Sequence, residues 1–209
     1  MTNANDLAPS SAASGGDDER RDGRALRSER SRQSIVRALF ELVGEGILKP
    51  TAQQVAERAG VGIRTVFRHF SDMDTLYAEM SARLHQEIRP LTLEPVDAGP
   101  IEGRARQLIS RRADIFERIA PYKRSADVQR WNSAFLTEDH RSFVRNLRRD
   151  LVRWLPELES ADPDVASAIE LATSFRAWNR LRVDQRLSAR RAAQTIELTV
   201  LTLLAAAIT

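Results

Sequence analysis

The sequence predicts an all-α fold, and three observations carry that prediction. Apolar residues recur at spacings of three and four through the long segments, no stretch alternates apolar and polar side chains, and glycine, proline or N-cap residues punctuate the periodic runs. No internal repeat of 20 to 50 residues appears.

Taken in order, residues 1–19 are rich in Ser, Ala, Gly, Asn and Asp with almost no bulky apolar side chain. Such a segment cannot offset its ordering entropy and is expected to be a disordered tail. A basic run follows with Arg20, Arg21, Arg24, Arg27, Arg30 and Arg32, leading into a helix whose Ile35, Val36, Leu39, Leu42 and Val43 share a face, ended by Gly44 and Gly46. These arginines have two readings, a solvated helix start or an arm that follows nucleic-acid phosphates. The segment from Gly44 to Thr51 lacks the glycine-lysine-hydroxyl spacing of a phosphate loop and is read as a helix-to-helix turn.

From Thr51 to Phe70 the chain reads as two short helices hinged at a glycine. Val55, Ala56 and Ala59 form the inner face of the first, Thr51 is its N-cap, and Gly60 ends it. The second runs from about Gly62 to His69, burying Val66 and Phe70 and displaying Ile63, Arg64, Thr65, Phe67, Arg68 and His69. Two helices joined by a glycine turn are the geometry of a helix-turn-helix.

Ser71 and Asp74 suggest a capping box for a longer helix to about Arg89, striped by Leu76, Tyr77, Met80, Leu84 and Ile88 and ended by Pro90. Further helices are expected over about 101–119, from Pro121 to about Phe135, over 138–155, 163–185 and 189–207. Asp162-Pro163 opens the fourth of these and Ser188 caps the last.

Composition narrows the function. Apolar content of 42% with 29% charged residues is that of a globular protein, and the absence of cysteine excludes disulfides and thiolate chemistry. The longest apolar run, 198–209, is too short to span a bilayer, and the first nineteen residues lack a hydrophobic segment, so a cytoplasmic protein is expected. Net charge is only +3, but residues 20–70 carry +6, residues 1–19 carry −4 and residues 71–209 carry +1. The positive excess coincides with the helix pair, as a phosphate-binding surface requires. His69, His85 and His140 stand apart with no partner at a telling spacing, so no catalytic residue, metal site or cofactor is predicted.

The string T-x-x-x-V-A-x-x-A-G-V-x-x-x-T-V-F-x-H-F-x-x-x-D-x-L, from Thr51 to Leu76, resembles the DNA-binding domain of the TetR/AcrR family of bacterial transcriptional regulators. The segment from Ser174 to Arg182 also resembles the penultimate helix of many members. The resemblance implies about nine helices: a three-helix helix-turn-helix domain with its basic arm over 20–72, then a connecting helix and a C-terminal ligand-binding and dimerisation domain over 73–209. By position it implies that Gly62, Ile63 and Arg64 face base edges, that Thr65, Phe67 and His69 lie along phosphates, and that Gln53 reaches the groove edge, with Thr51 beside it. The family commonly has tyrosine at Phe67 and lysine at Met73, both phosphate contacts. Arg68 or the N-terminal arginines are expected to compensate.

Six aromatic residues, Phe116, Tyr122, Trp131, Phe135, Phe175 and Trp178, are candidates to line an effector cavity, with plain core as the other reading. Ile169, Ala172, Phe175 and Leu181, then Ile196, Val200, Leu203 and Leu204, are expected at a two-fold interface, as the last helix pair is in the family. The implied protein is a homodimeric, ligand-responsive repressor that binds a palindromic double-stranded operator, nucleoid-associated when bound, with a small-molecule effector still to be identified. The alternative is a helical DNA-binding protein without sequence preference or small-molecule response.

Overall fold

The structure, a computed structural model, describes residues 15–93 and 99–207. Among them are nine α-helices and no strand: α1 (Gly15–Gly44), α2 (Ala52–Ala59), α3 (Ile63–His69), α4 (Met73–Thr92), α5 (Ile101–Gln129), α6 (Ala134–Trp154), α7 (Pro163–Ala172), α8 (Phe175–Asn179) and α9 (Ala189–Ala207).

Helix α1 starts at Gly15, inside the segment expected to be a tail, while residues 1–14 lie outside the described residues. Its outer half has reason to be helical, since Ala25, Leu26, Arg27, Glu29 and Arg30 are strong helix formers. From Ile35 onward the helix meets the core. Ile35, Ala38, Leu39, Leu42 and Val43 close over Val55 and Ala56 of α2, Val66 of α3 and Phe70, all of them buried.

The turns between these helices follow from single residues. Thr51 and Gln54 form a complete capping box, the threonine hydroxyl accepting from the Gln54 amide at 3.2 Å while the Gln54 carboxamide oxygen accepts from the Thr51 amide at 2.9 Å. Gly60 adopts φ 67°, the left-handed conformation that a Cβ penalises, and its amide returns to the carbonyls of Ala56 and Glu57. Thr51→Ala is expected to cost about 1 kcal/mol, read as a lower urea midpoint with unchanged slope. An unchanged midpoint would show that the box is dispensable.

Four expected boundaries fall elsewhere. The cap of α4 is Asp72, whose carboxylate accepts from the Thr75 amide at 2.8 Å, and Ser71 only supports it. Pro90 lies inside α4, in its last turn. Pro121 likewise lies inside α5, which continues to Gln129 because its neighbours Ile119, Tyr122 and Lys123 are buried and hold the helix in place. The break comes instead at the 3-10 turn Arg130–Asn132, after which Ser133 caps α6 through the Leu136 amide. The segment expected as one helix over 163–185 breaks at Thr173, Ser174 caps α8, and a π-helical turn follows over Arg180–Asp184.

Helix α5 is the axis of the C-terminal half, with α4, α6, α8 and α9 packed around it. Its buried face includes two arginines. Arg112 donates to the Thr173 carbonyl and hydroxyl, both at 2.9 Å, and to the Leu147 carbonyl, so it ties the α7–α8 break to α6. Arg111 pairs with Asp150 and lies over the Trp154 ring at 5.0 Å.

The residues expected at a two-fold interface are in large part core. Ile169, Ile196, Val200 and Leu204 are buried within the single chain, because α7 and α9 turn these faces toward each other and toward α5, and Phe175 of α8 is buried against Phe116 of α5. The outward face of α9 is a different stripe, with Leu198 70% exposed and Leu201, Thr202 and Ala205 beside it in a shallow groove. No helix among the described residues is long and apolar enough to cross a membrane.

Candidate nucleic-acid interface and cavity

Helix α3 presents a compact exposed surface. Gly62 is its N-cap and supplies no side-chain acceptor; its carbonyl takes the Thr65 amide at 2.8 Å, and the Ile63 and Arg64 amides receive no side-chain cap. Ile63, Arg64, Phe67 and Arg68 are exposed, while Val66 between them is buried and anchors the helix. Phe67 is 51% exposed, a large apolar side chain with no core to enter. Arg64 and Arg68 have no hydrogen bond or ion pair among the described residues, whereas other arginines nearby are already engaged. Arg58 forms a bidentate pair with Glu45 at 2.8 Å, and Arg32 pairs with Glu79 at 2.6 Å and lies over the Phe70 ring. The free positive charge of the helix pair is therefore concentrated on α3, joined by the exposed Arg24, Arg27, Arg30 and Arg37 of α1.

The other candidates are more constrained. The Thr51 hydroxyl is occupied by the capping box, and the Gln53 carboxamide donates to Glu57 at 2.8 Å, lying along its own helix. Thr65 is half-buried. His69 turns its Nε2 into the protein, where it has no hydrogen-bond partner, leaving Nδ1 for any phosphate contact. Burial first, and then the charges of Arg68 and Arg32, hold the His69 pKa below 6.5. Met73, where the family commonly has lysine, packs against the core at the start of α4.

Of the six aromatic candidates, the structure brings few to a cavity. A cavity of about 380 Å³ between α5, α6, α7 and α8 takes in Phe175, and an adjoining one of about 580 Å³ along α4, α5 and α6 takes in Phe116. Phe116 and Trp178 also flank a minor void, with Trp178 held by the Glu117 carboxylate at 3.0 Å. Trp131 is 80% exposed in the turn between α5 and α6, because the chain breaks there, and it lines none of these cavities. Tyr122 stacks on Phe40 of α1 at 4.4 Å and Phe135 packs on the core. Neither faces the cavity.

Sequence reasoning missed the polar lining. Lys123, Asp127 and Arg112 of α5, His140 of α6 and Arg176 of α8 all border the first cavity, beside Phe143, Leu147 and Phe175. Burial lowers the Lys123 ammonium pKa, with Asp139 opposing. Burial also pushes Arg112 down to about 10. Only the period of α5 hinted at these groups, by placing Arg112 and Lys123 on a stripe with Ile115, Phe116 and Ile119.

Residues 35–80 match the family model of the bacterial regulatory proteins of the tetR family. Over that span, from α1 into α4, the chain carries a TetR-family N-terminal domain. The chain is also similar to a transcriptional regulator from Rhodococcus sp. Rha1, with 21% identity, a TM-score of 0.66, and 85% of this chain and 98% of that one covered. A second similar structure, described as a TetR-family transcriptional regulator from Mesorhizobium loti, has 17% identity and a TM-score of 0.55, with 86% and 98% covered. At such identities these two likenesses concern the fold. No curated protein matches the chain. The matched domain supports a DNA-binding transcriptional regulator.

The histidines of this regulator make its stability pH-dependent. His140, like His69, is held below 6.5, by burial first and then by Arg130 and Lys123. The unfolded chain then binds more protons than the folded one below pH 6.5, so stability is full above that value and falls as pH drops toward the lowered folded pKa values. Urea midpoints between pH 8 and 5 are expected to fall on the acidic side. A His69→Gln, His140→Gln double variant should flatten that decline, and an equal slope in the variant would refute the assignment.

Proposed function

We propose that the protein is a cytoplasmic, homodimeric repressor, nucleoid-associated when bound, that holds a palindromic operator through paired α3 helices and releases it when a small molecule occupies the cavity. Its division of labour is a reading domain over 20–72 and a regulatory and dimerising domain over 73–209. Ile63 and Arg64 address base edges in this reading, with Arg64 bridging the O6 and N7 acceptors of a guanine. Phe67, Arg68 and the α1 arginines follow the backbone. The exposed groove on α9 around Leu198 supplies the two-fold contact, in place of the buried residues that periodicity alone suggests.

One observation carries the ligand response: a single stretch of α5 faces both ways. Lys123 and Asp127 border the cavity, while Tyr122, Ser125 and Gln129 face the turn that leads into the helix-turn-helix. The Leu48 carbonyl, three residues before the Thr51 cap, accepts from the Ser125 hydroxyl at 2.9 Å and from the Gln129 carboxamide at 3.1 Å. Gln129 in turn accepts from the Tyr77 hydroxyl of α4 at 2.8 Å. Beside it the Tyr122 hydroxyl lies close to Gly44, where a Cβ would stand 3.3 Å away, a tight contact. A ligand that shifts the cavity face of α5 thereby shifts the hold on the turn, which favours one placement of the reading heads over another.

The test is selection of bound fragments from genomic DNA by the full chain, followed by anisotropy on the selected duplex. A palindromic consensus bound by two chains is expected. Equal affinity for all sequences would overturn the reading in favour of binding without sequence preference. A Ser125→Ala, Gln129→Leu variant is expected to keep operator binding and lose release by an effector, measured as the ratio of operator affinities with and without it. An unchanged ratio would show that coupling runs elsewhere.

A further inference from the structure

We propose that the cavity between α5, α6, α7 and α8 binds an amphipathic organic monoanion, a carboxylate with an apolar body, received by Lys123 and His140. This rests on the reading of that cavity as the effector site.

The charge balance around the cavity points to the anion. Three cationic side chains are more than nine-tenths buried, Arg111 and Arg112 at 4% exposure each and Lys123 at 8%. Two carboxylates serve them. Asp150 takes both arginines and is also approached by Arg153, and Asp139 takes Lys123 at 3.5 Å, the outer edge of hydrogen bonding, while also accepting from Ser81 at 2.8 Å. The surplus arises where two arginines share Asp150, while Lys123 has Asp139 alone at 3.5 Å; the cavity lining itself sets Arg112, Lys123 and Arg176 against Asp127 and Glu170, a net positive wall.

The acidic groups of the lining, Asp127 near Lys123 and Glu170 near Arg112, offset the cations only in part, because each is engaged by another arginine. Asp127 faces Arg130 at 3.7 Å, and Glu170 pairs with Arg148 at 2.6 Å. At the same wall the Nδ1 of His140 is buried without a hydrogen-bond partner, 4.0 Å from the nearest Asp127 oxygen. Arg176, exposed and without an ion pair among the described residues, adds positive potential on the α8 side. The Lys123 ammonium lies over the Phe143 ring at 4.3 Å, and Phe143, Leu147 and Phe175 continue the wall as apolar surface. A polar end with the Lys123 ammonium as donor, joined by His140 in its Nδ1–H tautomer, and an apolar remainder match a carboxylate on a hydrocarbon or aromatic body. Burial in low dielectric strengthens that pairing relative to water.

The experiment titrates the full chain by calorimetry with octanoate, octanamide and octylammonium, which share a chain and differ in head charge. Octanoate is expected to bind at least about 10-fold more tightly than either other probe, the scale of one buried charge-assisted hydrogen bond. Lys123→Met, which retains the stem, should abolish that preference while leaving octanamide binding unchanged. Arg176→Gln, at an exposed position, should weaken octanoate alone and serves if the first variant fails to fold. Preference for octylammonium, no binding of octanoate, or a preference that survives both substitutions would overturn the proposal. Anisotropy on operator duplex separates the two readings. Octanoate that binds without releasing DNA upholds the anion site and refutes the effector role, whereas release by octylammonium or octanamide alone does the reverse.

Discussion

Arg64→Ala is expected to remove most of the protein's preference for its operator while leaving salt-sensitive binding to other DNA in place. Arg64 is exposed on the first turn of α3 and has no ion pair or hydrogen bond among the described residues, so its guanidinium enters a groove without first breaking an internal contact. A bidentate contact to guanine discriminates by about 1–3 kcal/mol, roughly 5- to 150-fold in the ratio of specific to non-specific affinity. Anisotropy titrations at several salt concentrations on operator and scrambled duplexes measure that ratio. Arg68→Ala is the control: as a phosphate contact it should weaken both duplexes about equally and lower the salt slope by about one. Should Arg64→Ala instead lower both affinities in parallel, Arg64 is a backbone contact and sequence is read elsewhere.

Phe70→Ala is expected to unfold the reading head. Phe70 follows the last turn of α3, is almost fully buried among the residues of α1, α2 and α4, and has the Arg32 guanidinium over its ring at 5.2 Å. Truncating such a side chain costs about 3–5 kcal/mol, a large part of the 5–15 kcal/mol that a domain has in total. Thermal denaturation followed by circular dichroism should show a lower or split transition, with operator binding lost in parallel. Phe67→Ala gives the contrast three residues away. That ring is half-exposed, so its removal should change stability by no more than about 0.5 kcal/mol while weakening DNA binding. If Phe70→Ala melts like the parent, the ring is not the keystone its burial implies.

The helix-turn-helix was legible because its signals are local. Thr51, Gly60 and the spacing of Val55, Ala56 and Val66 each determine a cap, a turn or a face within a few residues, and the structure places them as read. The stripe Leu76, Tyr77, Met80, Leu84 and Ile88 was legible for the same reason. Prolines misled, since Pro90 and Pro121 read as helix ends. A proline removes one backbone donor and clashes with the preceding turn; around Pro121 the burial of Ile119, Tyr122 and Lys123 outweighs that local cost, and α4 ends two residues after Pro90.

The cavity was the least legible part. Aromatic residues were the natural candidates, yet Trp131 is at the surface, Tyr122 serves the contact with α1, and the groups that give the cavity its character are Lys123, His140 and Arg112. A buried cation is indistinguishable in sequence from a solvated one, because the same period places lysine on a wet face or a dry one according to what packs against it. The interface residues failed in the same way, for periodicity shows that α9 has an apolar stripe but not which neighbour covers it.

By itself, then, the sequence determined most of the helices, the turn at Gly60 and the exposed face of α3, since these depend on backbone conformation and on side chains within one or two turns. Only the tertiary structure decided which arginines are free, which aromatic residues are core, and that one stretch of α5 touches both the cavity and the turn at Leu48. Those are matters of long-range packing. They turn on the partner each side chain meets, and that partner is set by contacts between residues 47 to 81 positions apart.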